Sequence, residues 1–286
     1  MLIVSPLAQV VMLLLVVGVL ATGLLLVRKG LREARELSLS VGELELRDWP
    51  EALRGWRLLH VSDVHFTAGA NLTDRVLSLA EAARPDCIIV TGDLLAPVNR
   101  GRREAKEFLW RLAGRWPVYL APGNEDHVKK RPQPYEEWPE TGAVVLMNRA
   151  VPVVHNGARC WIAGVDDPHT RLDDLEAAFA GIPEGEPVVL LAHSPAIIKR
   201  PGIERAAVIF SGHTHGGQIC LPNGYAPYIH TPLPHRFASG VHQLRGNSTL
   251  LVVSRGAGTT RLPLRLWCPP ELTLWTIVPS REGAKF

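Results

Sequence analysis

The chain carries almost no net charge. Thirty-one Lys and Arg residues face 28 Asp and Glu, a formal +3 at pH 7, and no basic cluster is interleaved with aromatic residues. That excludes the electrostatic footprint of a nucleic-acid binder. Cysteine is scarce: Cys87, Cys160, Cys220 and Cys268 lie far apart and form no CxxC pair. A disulfide scaffold and a zinc knuckle are excluded, and a reducing compartment fits. There is no internal repeat and no low-complexity linker. Neither a basic residue nor a twin arginine precedes the apolar run near the N-terminus, which removes two marks of a secretory leader.

What is present begins with that apolar run. Residues 10–27, "VVMLLLVVGVLATGLLLV", contain no charge, and as a helix they reach across a hydrocarbon core of about 30 Å. Arg28, Lys29, Arg32 and Arg35 follow it. By the positive-inside rule this flank stays cytoplasmic. The expectation is a single-pass anchor in the cell inner membrane over residues 1–30, with the catalytic domain in the cytoplasm; a cleaved leader and a buried core helix are the rival readings. Residues 31–55 form a juxtamembrane passage whose alternating "LSLSVGELELRD" is a possible first strand. Residues 56–286 make the soluble domain, long enough to bury a sizeable core.

Short apolar runs then alternate with helical spacing. Strands are expected at 57–61, 87–90, 118–120, 144–146, 161–163, 188–191, 207–210, 249–254 and 272–278, and helices at 72–83, 103–112 and 172–180. The mixture predicts a layered α/β domain with largely buried sheets. Pro- and Gly-rich passages at 131–139 and 220–234 read as surface loops.

Each strong strand is followed by potential metal ligands. "HVSDVHF" offers Asp63 and His65, "IVTGDLL" offers Asp93, and "YLAPGNEDH" offers Asn124, Glu125, Asp126 and His127. "LLAHSP" offers His193, and "FSGHTHGGQ" offers His213 and His215. Carboxyl ends of strands are where open α/β sheets place their sites. A polar residue at one strand end is commonly a helix cap; five such ends together call for another account. Two divalent ions about 3.5–4 Å apart make a clamp for phosphoryl chemistry, whereas a structural zinc needs only four ligands.

The order Asp63-x-His65, Gly92-Asp93, Gly123-Asn124, His193 and Gly212-His213-x-His215 resembles the calcineurin-like metallophosphoesterase superfamily. The resemblance covers roughly residues 56–256. It implies a four-layer αββα sandwich with a binuclear site, one metal on Asp63, His65, Asp93 and His215 and the other on Asp93, Asn124, His193 and His213. Mn is the first expectation for both ions, with Fe and Zn as alternatives. "SGHTHGGQ" is similar to the membrane-associated branch that holds YkuE- and YaeI-like phosphodiesterases and the UDP-2,3-diacylglucosamine pyrophosphatases of lipid A synthesis.

One position departs. Where the family usually reads Gly-Asn-His, this chain reads Gly123-Asn124-Glu125-Asp126-His127. A carboxylate there repels phosphate unless protonated, so Glu125 serves as an acid only with a raised pKa; His127 is the other candidate for that role. Together with the anchor, the resemblance implies a lipid or lipid-linked nucleotide as substrate, the membrane as partner and no protein partner. The favoured reaction is UDP-2,3-diacylglucosamine and water to 2,3-diacylglucosamine 1-phosphate and UMP. A broad phosphodiesterase or phospholipid phosphatase, and a metal-binding but inactive scaffold, are the alternatives. Arg131, Arg200, Arg236 and Arg245 are available for phosphate, and Trp138, Tyr225 and Tyr228 for acyl or base groups.

Overall fold

The uninterrupted apolar runs of the sequence become strands whose two faces both lie buried. The computed structural model describes residues 5–66, 71–98, 100–127, 133–246 and 248–280; Arg131 lies outside them. In chain order the elements are α1 (Pro6–Glu33), β1 (Ser38–Leu46), β2 (Trp56–Val61), α2 (Leu72–Ala83), β3 (Cys87–Val90), α3 (Arg102–Ala113), β4 (Val118–Leu120), α4 (Pro134–Glu137) and β5 (Val144–Val145). They continue with β6 (Arg149–His155), β7 (Ala158–Gly164), α5 (Leu175–Phe179), β8 (Val188–Leu191), β9 (Val208–Ser211), β10 (Gly240–Gln243), β11 (Leu250–Val253) and β12 (Glu271–Pro279).

Two six-stranded sheets result, ordered β1-β12-β2-β3-β4-β5 and β10-β11-β9-β8-β7-β6. Strands β2 to β5 run parallel, as do β7, β8, β9 and β11; β6 and β10 are antiparallel edges of the second sheet. Alternation along each strand sends its residues to two different cores. Leu58 and Ile89 join Val189, Leu191, Val208 and Phe210 between the sheets. Leu59, Val61, Ile88 and Val90 face Val76, Ala80, Phe108 and Leu112 of α2 and α3. On the outer face of the second sheet, Val188, Leu190 and Ile209 meet Leu175 and Ala178 of α5. The chain is an α/β sandwich, and its second outer layer is thin, with α5 and short 3-10 turns at Pro195–Lys199 and Ile203–Arg205.

Several expectations shift. The helix expected over 172–180 is confined to α5, whose cap Asp174 accepts the Ala177 N–H at 2.9 Å. Edge strands β6 and β10 were not expected. Trp138, expected on a surface loop, is buried in the core beneath α3.

At the N-terminus, Ser5 caps α1 by accepting the Ala8 N–H. By length and composition α1 is able to cross a membrane, criteria that a secretory leader also meets. It runs to Glu33, beyond the residue 30 expected. β1 pairs with β12 along its whole length, so it is part of the first sheet.

Candidate metal centre

Because β2, β3 and β4 share one direction, and β8 and β9 another sheet's common direction, their carboxyl ends open on the same seam between the sheets. Backbone bonds stitch these ends together: Asp63 N–H to Gly92 O and His65 N–H to Asp93 O, both 3.0 Å, and Gly212 N–H to His193 O, 2.9 Å. The turns that aim the side chains inward are unusual. Asp63, His65, Asp93, His213 and His215 all have φ between 46° and 70°. Non-glycine residues in this region cost on the order of 1 kcal/mol or more each and persist where the surroundings impose them. Asp126 is one such imposing group. Fully buried, it accepts the N–H groups of Asp93 (2.8 Å), Gly123 (2.9 Å) and Leu95 (3.0 Å). Desolvation and the neighbouring Asp93 charge push its carboxyl up to about 7.

The donors converge from both sheets. Asp63, His65 and His215 form one group able to hold a metal ion, and Asp63, Asp93 and His193 form a second, all buried. Asp63 belongs to both groups. Asp93 also reaches both sides, its Oδ2 lying 3.6 Å from His65 Nε2 and 3.4 Å from His193 Nε2. His65 Nδ1 is 2.9 Å from Leu95 O, and His193 Nδ1 is 2.7 Å from Thr91 O. A ring nitrogen facing a carbonyl carries the hydrogen, so each ring's Nε2 presents a lone pair to the centre. His213 is reversed: its Nε2 faces His230 O at 2.6 Å, and its free Nδ1 lies 3.2 Å from His193 Nε2. His65 Nε2 sits 3.0 Å from His215 Nε2, and the Arg265 guanidinium faces His215 Nδ1 at 3.4 Å. Asn124 Oδ1 is buried without any hydrogen-bond partner. Clustered imidazole nitrogens, two buried carboxylates and an orphaned amide oxygen are donors that a pair of divalent cations satisfies, so this donor set fits a binuclear site.

Electrostatics favour the same use. Desolvation lowers His213 to about 3 and His215 well below its ordinary value, keeping both rings neutral. For Asp93, desolvation is outweighed by His193 and His65, which lower it, and Asp93 in turn raises His193 against that ring's own desolvation, so the two form one buried proton-binding pair whose proton a cation displaces.

A hydrogen-bond chain reaches Asp63 from behind. Ser62 Oγ donates to Asp63 Oδ2 (2.6 Å), Thr91 Oγ1 donates to Ser62 Oγ (2.8 Å), and His60 Nε2 lies 2.8 Å from Thr91 Oγ1. With the threonine proton committed, His60 donates and its buried Nδ1 is left without a partner. The sequence assigned His60 no role, since a lone histidine inside an apolar strand carries no motif.

A cavity of about 140 Å³ opens over the donors; Glu125, His169, His230, Thr260 and Arg261 join the metal-side residues in its lining. Glu125 is half-buried, and desolvation followed by the Asp93 charge raises its carboxyl. His127 points elsewhere: its Nε2 is 2.8 Å from Asp166 Oδ1, its ring packs edge-on against Tyr135, and it is not part of the cavity lining. Arg200 is engaged by Asp173 at 2.6 and 2.7 Å. Arg236 and Arg245 line a separate hollow of about 760 Å³. None of these three arginines lines the metal-side cavity. His169 and Arg261 do, and sequence reasoning missed them because each stands alone in a loop.

Fold and donors together fit the class of metal-dependent phosphoesterases. Residues 57–217 match the calcineurin-like phosphoesterase family, and the chain belongs to it. It is similar to a zebrafish transmembrane protein with metallophosphoesterase domain, 29% identical over 81% of this chain and 55% of that protein. It is also similar to two Bacillus subtilis proteins. YkuE, an uncharacterized metallophosphoesterase, is 28% identical over 80% of this chain and 81% of its own length. YpbG is 31% identical over 77% and 80% respectively. The chain thus spans little more than half the length of the zebrafish relative. Among solved structures, a 5'-nucleotidase precursor from Thermus thermophilus aligns over 71% of this chain and 49% of that one, with TM-score 0.45 and 20% identity.

Proposed function

We propose that the protein is a membrane-anchored binuclear phosphohydrolase acting on a lipid-linked phosphate ester or anhydride. The observation that carries the reading is the placement of Asp93 between His65 and His193, 3.6 and 3.4 Å away, beside the unpartnered Asn124 oxygen. One ion is assigned to Asp63, His65, Asp93 and His215, the other to Asp93, Asn124, His193 and His213, with Mn preferred. When bound, two such ions acidify water and draw charge from phosphoryl oxygens.

The chain's own residues supply the rest. Asp93 and Asp63 bring anionic charge to both sides of the pair, and the carbonyl-anchored rings of His65 and His193 hold their lone pairs in fixed directions. Arg261, on the cavity wall, binds a non-bridging phosphate oxygen. Water forms the new P–O bond while the bridging P–O bond breaks. Glu125, whose carboxyl is held above its ordinary range, occupies the place for a proton donor to the departing oxygen. His127 is not assigned that step, being held by Asp166.

The substrate we favour is UDP-2,3-diacylglucosamine, cleaved with water to 2,3-diacylglucosamine 1-phosphate and UMP, as in lipid A biosynthesis. Two features support it. The apolar helix α1, its apolar run followed by Arg28, Lys29, Arg32 and Arg35, supports the reading of residues 1–30 as an inner-membrane anchor with the domain on the cytoplasmic side. UMP is also a leaving group that needs little help from a strong proton donor. Mass spectrometry of the Mn²⁺-loaded protein against UDP-diacylglucosamine, a nucleoside diphosphate sugar without acyl chains, and a plain phospholipid tests this. Cleavage of the first alone is expected. Preference for the phospholipid replaces the reading with a phospholipid phosphatase or broad phosphodiesterase, and no turnover of any of the three or of an aryl diester makes the protein a metal-binding scaffold.

A further inference from the structure

The geometry points to a lipid-facing rim at the mouth of the metal cavity, formed by Ile219, Leu221, Tyr228 and Leu262 and resting on the same bilayer that receives α1. This inference rests on the reading of α1 as a membrane span.

The last turns of α1 are clamped to the loop before β12. Arg265 N–H donates to Gly30 O at 3.0 Å, and Cys268 N–H donates to Glu33 Oε1 at 2.6 Å. A Cβ at Gly30 would sit 3.2 Å from Arg265 O and 3.3 Å from Leu264 Cβ, so helix and loop touch directly. Lys29 bonds Glu33 at 2.7 Å and lies 5.6 Å from the Trp267 ring centre. Arg28 and Lys29 end the apolar run, the level at which a spanning helix meets headgroups, and Trp beside Lys is characteristic of that level.

The clamped loop also carries Thr260 and Arg261, which line the metal-side cavity. It is tied to the chain just beyond His215. Gln218 Nε2 donates to Thr260 O and Leu262 O, both 3.1 Å, and Cys220 N–H donates to Leu266 O at 2.9 Å. Leu262, next to Arg261, is 53% exposed; Ile219, Leu221 and Tyr228 are 40, 47 and 65% exposed. Tyr228 packs edge-on against His230, itself a cavity-wall residue, with ring centres 4.9 Å apart. An apolar rim continuous with the foot of a 28-residue apolar helix has one fitting occupant, the acyl and headgroup boundary of that helix's own membrane. A lipid substrate then enters the cavity from the leaflet without being withdrawn fully into water.

The full chain in phospholipid vesicles tests this. All four native cysteines are buried, so nitroxide labels go to Leu221→Cys, Leu262→Cys, Leu14→Cys in α1 and Val154→Cys, which is exposed near the end of β6 remote from the metal centre. Collision with oxygen against a water-soluble nickel chelate reports immersion. Labels at 221 and 262 are expected to favour oxygen, as at 14 and unlike 154. Water-like labels at 221 and 262 with 14 in lipid overturn the rim and leave the anchor standing; a water-like label at 14 overturns both. As a second readout, Leu221→Asp and Leu262→Asp are expected to lower the ratio of turnover of UDP-diacylglucosamine presented in vesicles to turnover of a soluble aryl diester about tenfold, the scale of one buried leucine. An unchanged ratio counts against the rim, and the immersion readout stands whatever the substrate is.

Discussion

Asp63 accepts the backbone N–H of His213 through both carboxylate oxygens, each 3.0 Å away. The bond joins the end of β2 in one sheet to the end of β9 in the other, so the centre is a junction of the two halves of the sandwich. Its closeness depends on Gly212, where an added Cβ would lie 1.8 Å from Ser62 Oγ and 2.2 Å from Asp63 Oδ2. Gly212→Ala is expected to cost about 1–3 kcal/mol of stability and to weaken metal retention. Urea denaturation with parallel elemental analysis measures both; an unchanged midpoint with full metal content contradicts the account of the junction.

His60 sits at the buried end of the Thr91–Ser62–Asp63 chain, where desolvation lowers it from its ordinary value of 6.5 to about 3. The neutral ring's contribution to stability is present above pH 6.5 and is lost as the pH falls toward 3. The slope approaches about 1.4 kcal/mol per pH unit for one group. His60→Gln keeps a donor near Thr91 and cannot take up the proton, so its acid unfolding is expected to be shallower over that range. A slope identical to that of the parent chain would remove His60 from the explanation.

Much of this centre was legible beforehand because β2, β3, β4, β8 and β9 are buried on both faces, and such strands leave continuous apolar runs whose ends are easily found. Edge strands β6 and β10 leave no such trace: β6 contains Pro152, and β10 is mostly exposed. Trp138 was misplaced because its Pro-rich setting outweighed its own apolar bulk. Arg261 and His169 reach the cavity through loop geometry, which no local period encodes. The clamp of Glu33 on Cys268 joins residues 235 positions apart, beyond any sequence window.

Glu125 occupies the cavity wall where a histidine is usual in the family. An alkyl or aryl oxygen gains more from a proton donor than a departing nucleotide phosphate does. Glu125→His is therefore expected to raise hydrolysis of an aryl diester more than hydrolysis of a sugar diphosphate. Parallel initial rates on both substrates decide it, and equal or opposite changes refute the leaving-group account.

The central claim is that two ions, with Asp93 reaching both sides, make the catalyst. The direct measurement strips the protein of metal, titrates Mn²⁺ back, and records bound metal per chain and diester turnover in the same samples. Turnover is expected to rise chiefly with the second equivalent. His193→Ala is expected to retain mainly the first equivalent, and Asp93→Ala to lose the most activity of any single ligand variant. Full turnover at one equivalent or fewer, or an Asp93→Ala protein as active as its parent, would contradict the binuclear account.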